Sequence, residues 1–78
     1  MAEFDETLDA RKLNCPMVVI KAKKMLKQLG IGQVLEILAT DPGSQNEIPA
    51  WVRVTKQELI AAESLEPKEF RYLVKRLN

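Results

Sequence analysis

Histidine is missing from this 78-residue chain, and cysteine occurs once, at Cys15. The first absence removes the commonest general base and the Cys-His and Ser-His pairs of nucleophilic enzymes. One thiol cannot close a disulfide within the chain, and one Cys without His cannot build a zinc cluster of about four ligands. No metal and no cofactor are expected. No apolar run approaches the roughly 20 residues that span a bilayer, so no membrane segment is expected. Charge of one sign is also missing: 12 Lys and Arg stand against 11 Asp and Glu, a formal charge of +1. Domains that bind nucleic acid draw most of their affinity from a basic excess, so direct nucleic-acid binding is not expected. Residues 1–9 are acidic without an apolar run, which predicts no export signal. With a free thiol, that points to the reducing cytoplasm.

What is present fits one small domain, residues 1–78, expected to be monomeric. Residues 3–8 read as a short strand near a sheet edge, with Phe4 and Leu8 on one face, and residues 9–14 read as a polar loop. From Pro16 to Leu29 the apolar positions Val18, Ala22, Met25, Leu26 and Leu29 recur at helical spacing. Lys21, Lys24, Lys27 and Gln28 lie opposite, and Gly30 and Gly32 supply the stop. Residues 34–39 form a β-rich run with Leu35, Ile37 and Ala39 facing inward. Thr40-Asp41-Pro42-Gly43 is turn chemistry. Ser44 with Glu47 fits a capping box for a second helix. Pro49 predicts an irregular first turn before a short helix through Trp51, Val52 and Thr55. Trp51 is expected to pack on the sheet with its N–H near the surface. Residues 58–64 and 69–76 read as a hairpin, with Phe70, Tyr72 and Val74 on one face of the last strand. The order is β-α-β-α-β-β. Two helices on one face of a four-stranded mixed sheet make an α+β two-layer sandwich, within the broad α/β class.

Cys15-Pro16 falls where the polar loop meets the first helix. Pro is favoured at the first helical position, which makes Cys15 the expected N-cap. A thiolate there feels the helix dipole, and its pKa drops below the ~8.5 of a free Cys. Free Cys is equally at home as a small buried residue, and the local sequence leaves both roles open. Arg11, Lys12 and Lys21 add positive charge nearby, and Asp9 and Arg11 could pair. Met17 is a candidate apolar contact for a partner. The lysines of the first helix are either a solvated face or a dock for acidic partners.

Leu8-Asp9-Ala10-Arg11-Lys12-Leu13-Asn14-Cys15-Pro16 resembles the opening motif of the TusA, or SirA-like, family of sulfur carriers. The likeness continues through Ala39-Thr40-Asp41-Pro42-Gly43-Ser44, then Glu47 with Ile48-Pro49-Ala50-Trp51, and ends at Phe70-Arg71-Tyr72-Leu73-Val74-Lys75. The family's Cys-Pro-x-Pro reads Cys15-Pro16-Met17-Val18 here, so Val18 stands in place of the second Pro. Lys12 stands where many members have Gly. The resemblance implies that Cys15, supported by Pro16, carries sulfane sulfur as a persulfide, with Met17, Lys21, Arg11 and Lys12 facing partners. It implies a sulfurtransferase component of a relay. The donor would be a cysteine desulfurase or a rhodanese, and the acceptor a DsrE-like or other thiol protein. Family relays end in tRNA thiolation, molybdenum cofactor assembly or sulfur oxidation. The alternative is a regulatory or RNA-binding module of the same fold.

Overall fold

Alternation along the strands sets the core. Leu35, Ile37 and Ala39 are fully shielded from solvent, as are their β-partners on the same face, Val74 and Ala10. The computed structural model describes residues 4–13, 17–65 and 68–78. Its elements are β1 (Glu6–Ala10), α1 (Met17–Gln28), β2 (Val34–Ala39), α2 (Ser44–Val54), β3 (Glu58–Leu65) and β4 (Glu69–Lys75). The sheet order is β1-β2-β4-β3, with β1 parallel to β2 and the other two pairs antiparallel. The architecture is therefore the expected α+β arrangement with a mixed sheet, and β1 is an edge strand.

Both helices pack on one face of that sheet. Val18, Ala22 and Leu26 of α1 join Ile48, Trp51 and Val52 of α2 in a single cluster with Leu8, Ile37, Phe70 and Tyr72. The opposite face carries a polar network. Glu36, buried within the sheet, accepts from Thr7 Oγ1 at 2.9 Å and from Arg71 Nε at 2.5 Å. Arg71 Nη1 also donates to Glu63 at 2.7 Å.

Four expectations need correction. First, β1 runs later than residues 3–8, and Asp9 belongs to the strand. The inward pair is Leu8 and Ala10, which register with Ile37 and Ala39. Phe4 does not share the face of Leu8; its ring lies 5.8 Å from Arg71 Cζ, on the side of the polar network. Second, Ser44 makes no capping box. Gly43 is the N-cap residue without a side-chain cap. The Ser44 hydroxyl is buried instead and shares a 2.8 Å hydrogen bond with the Tyr72 hydroxyl. Third, α2 continues through Pro49 as one helix. The bond lost at Pro49 would have gone to the carbonyl of Gln45, an exposed residue, so water can replace it. Ile48, Trp51 and Val52, buried on either side, hold the helix to the sheet. Fourth, Trp51 does pack in the core, but its Nε1 is buried and has no hydrogen-bond partner among the described residues.

Two helix ends are closed, the first by a distant group and the second locally. Arg76 donates through Nη1 to the carbonyls of Lys27, at 3.1 Å, and Leu29, which satisfies the last turn of α1. At the end of α2, the Gln57 N–H donates to Val52 O and the Lys56 N–H to Arg53 O, with Lys56 left-handed at φ 59°. That is a Schellman closure built on a residue with a side chain.

Candidate functional site

Parallel pairing brings the carboxyl ends of β1 and β2 side by side, with Ala10 opposite Ala39. Each strand leads through a loop into a helix. Both β–α loops and the N-terminal ends of both helices therefore lie on one edge of the sheet. In open sheets with such crossovers, that edge is where ligands and reactive groups collect.

The described part of the first loop, residues 11–13, is held from three directions. The Leu13 N–H donates to Ala10 O at 3.1 Å and closes a turn over residues 10–13. The Asp9 carboxylate accepts the Arg11 backbone N–H at 3.2 Å and the guanidinium at 2.8 and 2.9 Å. The Thr40 hydroxyl, from the second loop, donates to the Arg11 carbonyl. Arg11 Nη1 also approaches Glu69 Oε1 at 3.8 Å. The guanidinium bonds hold the Asp9 carboxyl well down, at about 2, and the same pairing raises Arg11 above its ordinary value.

Arg11, Lys12 and Lys21 come together, lining with Leu8, Asp9 and Leu13 a shallow depression of about 430 Å³. Arg11 enters it already matched by Asp9, whereas Lys12 and Lys21 form no ion pair among the described residues. Met17 opens α1 and is 41% exposed, outside that depression. Cys15 and Pro16 lie, with Asn14, outside the described residues, and so does the expected capping of α1 by Cys15. Val18, at the position of the second Pro, is 1% exposed and belongs to the core.

The structure adds Ile20 to the sequence-based candidates. It is 50% exposed, one turn beyond Met17, and extends an apolar strip along α1. Its signal was present as an apolar pair at i, i+3 outside the buried stripe. Lys21, Lys23, Lys24 and Lys27 surround that strip, and α1 contains no acidic residue.

Behind the second loop, the buried Ser44–Tyr72 bond anchors the start of α2 to β4. Burial raises the Tyr72 pKa above its ordinary value; the bond from Ser44 opposes that rise and the charge of Asp41 adds to it. Among the described residues, no group of His, Cys, Asp and Glu could hold a metal ion. No helix there is long and apolar enough to cross a membrane.

The family described as Sulfurtransferase TusA matches residues 6–76. The chain belongs to the TusA family. It is 43% identical over 76 residues to the sulfur carrier protein TusA of Allochromatium vinosum, covering 97% of this chain and 99% of the relative. A candidate sulfur carrier protein of Archaeoglobus fulgidus is 38% identical over 68 residues, 87% of this chain and 88% of that one. In three dimensions the fold matches the crystal structure of a SirA-like protein from Desulfitobacterium hafniense. The TM-score is 0.83, with 23% identity, 95% coverage of this chain and full coverage of the other. The TusA match spans both β–α loops and the whole segment around Cys15.

Proposed function

We propose that this chain is a sulfur carrier whose Cys15 holds sulfane sulfur as a persulfide. The observation that carries this reading is the family match over residues 6–76, together with 43% identity along nearly all of a sulfur carrier protein. The transfer is thiol exchange. The Cys15 thiolate attacks the outer sulfur of a donor persulfide. A new S–S bond forms at Cys15, the donor's S–S bond breaks, and the donor leaves as its thiolate. Discharge repeats the step, with an acceptor thiolate attacking the outer sulfur and Cys15 leaving. No metal is needed, and no general base is needed once the thiol is ionised. That chemistry suits a chain without histidine.

The donor is a cysteine desulfurase or a rhodanese, and the acceptor is a thiol protein. Met17 and Ile20 offer both partners an apolar contact. Lys12, Lys21 and the other α1 lysines favour acidic partner surfaces and speed encounter. A thiol that must stay reduced between loadings suits the cytoplasm. The test is the intact mass after incubation with a cysteine desulfurase and cysteine, or with a rhodanese and thiosulfate. A gain of one sulfur atom is expected, absent in Cys15→Ser. An unchanged wild-type mass with both donors would overturn the reading.

A further inference from the structure

At the edge opposite the β–α loops, where both helices end, a recess of about 120 Å³ opens between α1, α2 and the residues after β4. Its lining is rich in donors that lack acceptors. Lys23 and Lys27 stand one turn apart on α1, both exposed, and Arg76 completes a group of three cations. None of the three forms an ion pair among the described residues, and no carboxylate side chain lines the recess. Arg76 spends Nε on Asn78 O at 2.9 Å and Nη1 on the carbonyls of Lys27 and Leu29, which leaves Nη2. Gln57 spends its side-chain oxygen on the N–H groups of Leu77, at 2.6 Å, and Asn78, at 3.2 Å, so its amide nitrogen is left to donate. Trp51, only 9% exposed, lines the same recess, and its Nε1 is the buried donor without a partner. An indole N–H can only donate, so an acceptor oxygen is the group that relieves it. The two helix C-termini bring about half a negative charge each, against three full positive charges. Carbonyls of their last turns are already bonded by Arg76, Lys56 and Gln57.

We propose that this recess binds a small tetrahedral oxyanion of the phosphate or sulfate class. Lys23, Lys27 and Arg76 supply the charge, and the Trp51 indole and the Gln57 amide supply neutral donors. These groups come from α1, α2, the α2–β3 turn and the segment after β4, so a bound ion is met from several sides. That suits an ion with four acceptor oxygens. Arg76 has one nitrogen left and lacks the two-nitrogen fork that a carboxylate takes. The volume fits an ion of this size and falls well below the roughly 300 Å³ at which sites for larger ligands begin. The site stands apart from the sulfur-carrier reading, at the other end of the sheet, and neither depends on the other.

The chain has a single tryptophan, so one indole N–H resonance reports on the recess. The full chain is titrated at neutral pH with sodium phosphate and, separately, with sodium sulfate, sodium chloride holding the ionic strength constant. A saturable shift of that resonance is expected, with a midpoint on the order of 1 mM. The urea unfolding midpoint should rise over the same range of phosphate, because the ion binds the folded state. In the double variant Lys23→Gln, Lys27→Gln both changes are at exposed positions, and binding is expected to weaken at least about tenfold. Lys24→Gln removes the same charge from an exposed position outside the recess and should stay within about twofold of the wild type. Acetate, with two oxygens, should bind at least about threefold more weakly than phosphate. A resonance that does not saturate with either ion would overturn the proposal. So would a double variant that binds like the wild type, an equal loss in Lys24→Gln, or acetate matching phosphate.

Discussion

At the scale of single residues, environment separates groups that look alike in the sequence. Asp9, at the functional edge, faces the Arg11 guanidinium at 2.8 and 2.9 Å. Its carboxyl should titrate near 2 by NMR, and in Arg11→Ala the midpoint should climb toward the ordinary ~3.9. Because the folded value lies below the unfolded one, whatever the pair contributes to stability is present above about pH 4. It is lost as pH falls toward 2. Tyr72 shows the opposite sign. Its folded pKa is raised, so the folded state keeps a proton that the unfolded state releases above about pH 10. Stability should fall with pH from that point, measured by urea unfolding at a series of alkaline pH values. Tyr72→Phe should flatten that fall. At neutral pH the same variant should cost about 1–2 kcal/mol, because the buried Ser44 hydroxyl loses its partner. Val18 stands where the family's motif has its second Pro, and its side chain is committed to the core. Val18→Ala should cost about 2 kcal/mol in urea unfolding, from lost methyl burial and the cavity left behind.

At the scale of elements, helix ends carry the cost. α2 closes on Lys56 in the left-handed region, which disfavours a residue with a Cβ by roughly 1–2 kcal/mol. Glycine removes that strain but adds unfolded-state entropy worth roughly 0.5–1 kcal/mol. Lys56→Gly should therefore stabilise the fold by about 0.5–1 kcal/mol, read from the urea midpoint at constant slope. The elements were also where sequence patterns were most and least legible. Apolar spacing in α1 marked Val18, Ala22 and Leu26, and these are the residues α1 buries. Strand β4 alternated as read, with Phe70, Tyr72 and Val74 in the core. Strand β1 was misplaced because Phe4/Leu8 and Leu8/Ala10 satisfy the same period of two. Pairing with β2 decides between them, and the pairing lies outside the segment. Ser44 followed the same logic. Its local pattern with Glu47 is that of a capping box, yet its hydroxyl bonds a tyrosine 28 residues away.

At the scale of the whole molecule, charge is sorted by layer although the formal total is only +1. α1 carries four lysines and no acid, while the strands carry six carboxylates against Arg71 and Lys75. Composition alone hid this sorting, because the two layers cancel in the sum. It leaves the helical side suited to acidic partners near the functional edge. The position of Cys15 in the chain, just before α1, was legible from Pro16 and the helical spacing. The tie from Thr40 to Arg11 was not, because the two residues are neighbours only once β1 and β2 pair. The central claim is that Cys15 receives and releases sulfane sulfur. Tandem mass spectrometry of the sulfur-loaded chain, before and after adding a thiol acceptor protein, tests it most directly. The account predicts one extra sulfur on the Cys15 peptide, lost to the acceptor in equal amount. Extra sulfur that never forms on that peptide, or that the acceptor cannot remove, would contradict it.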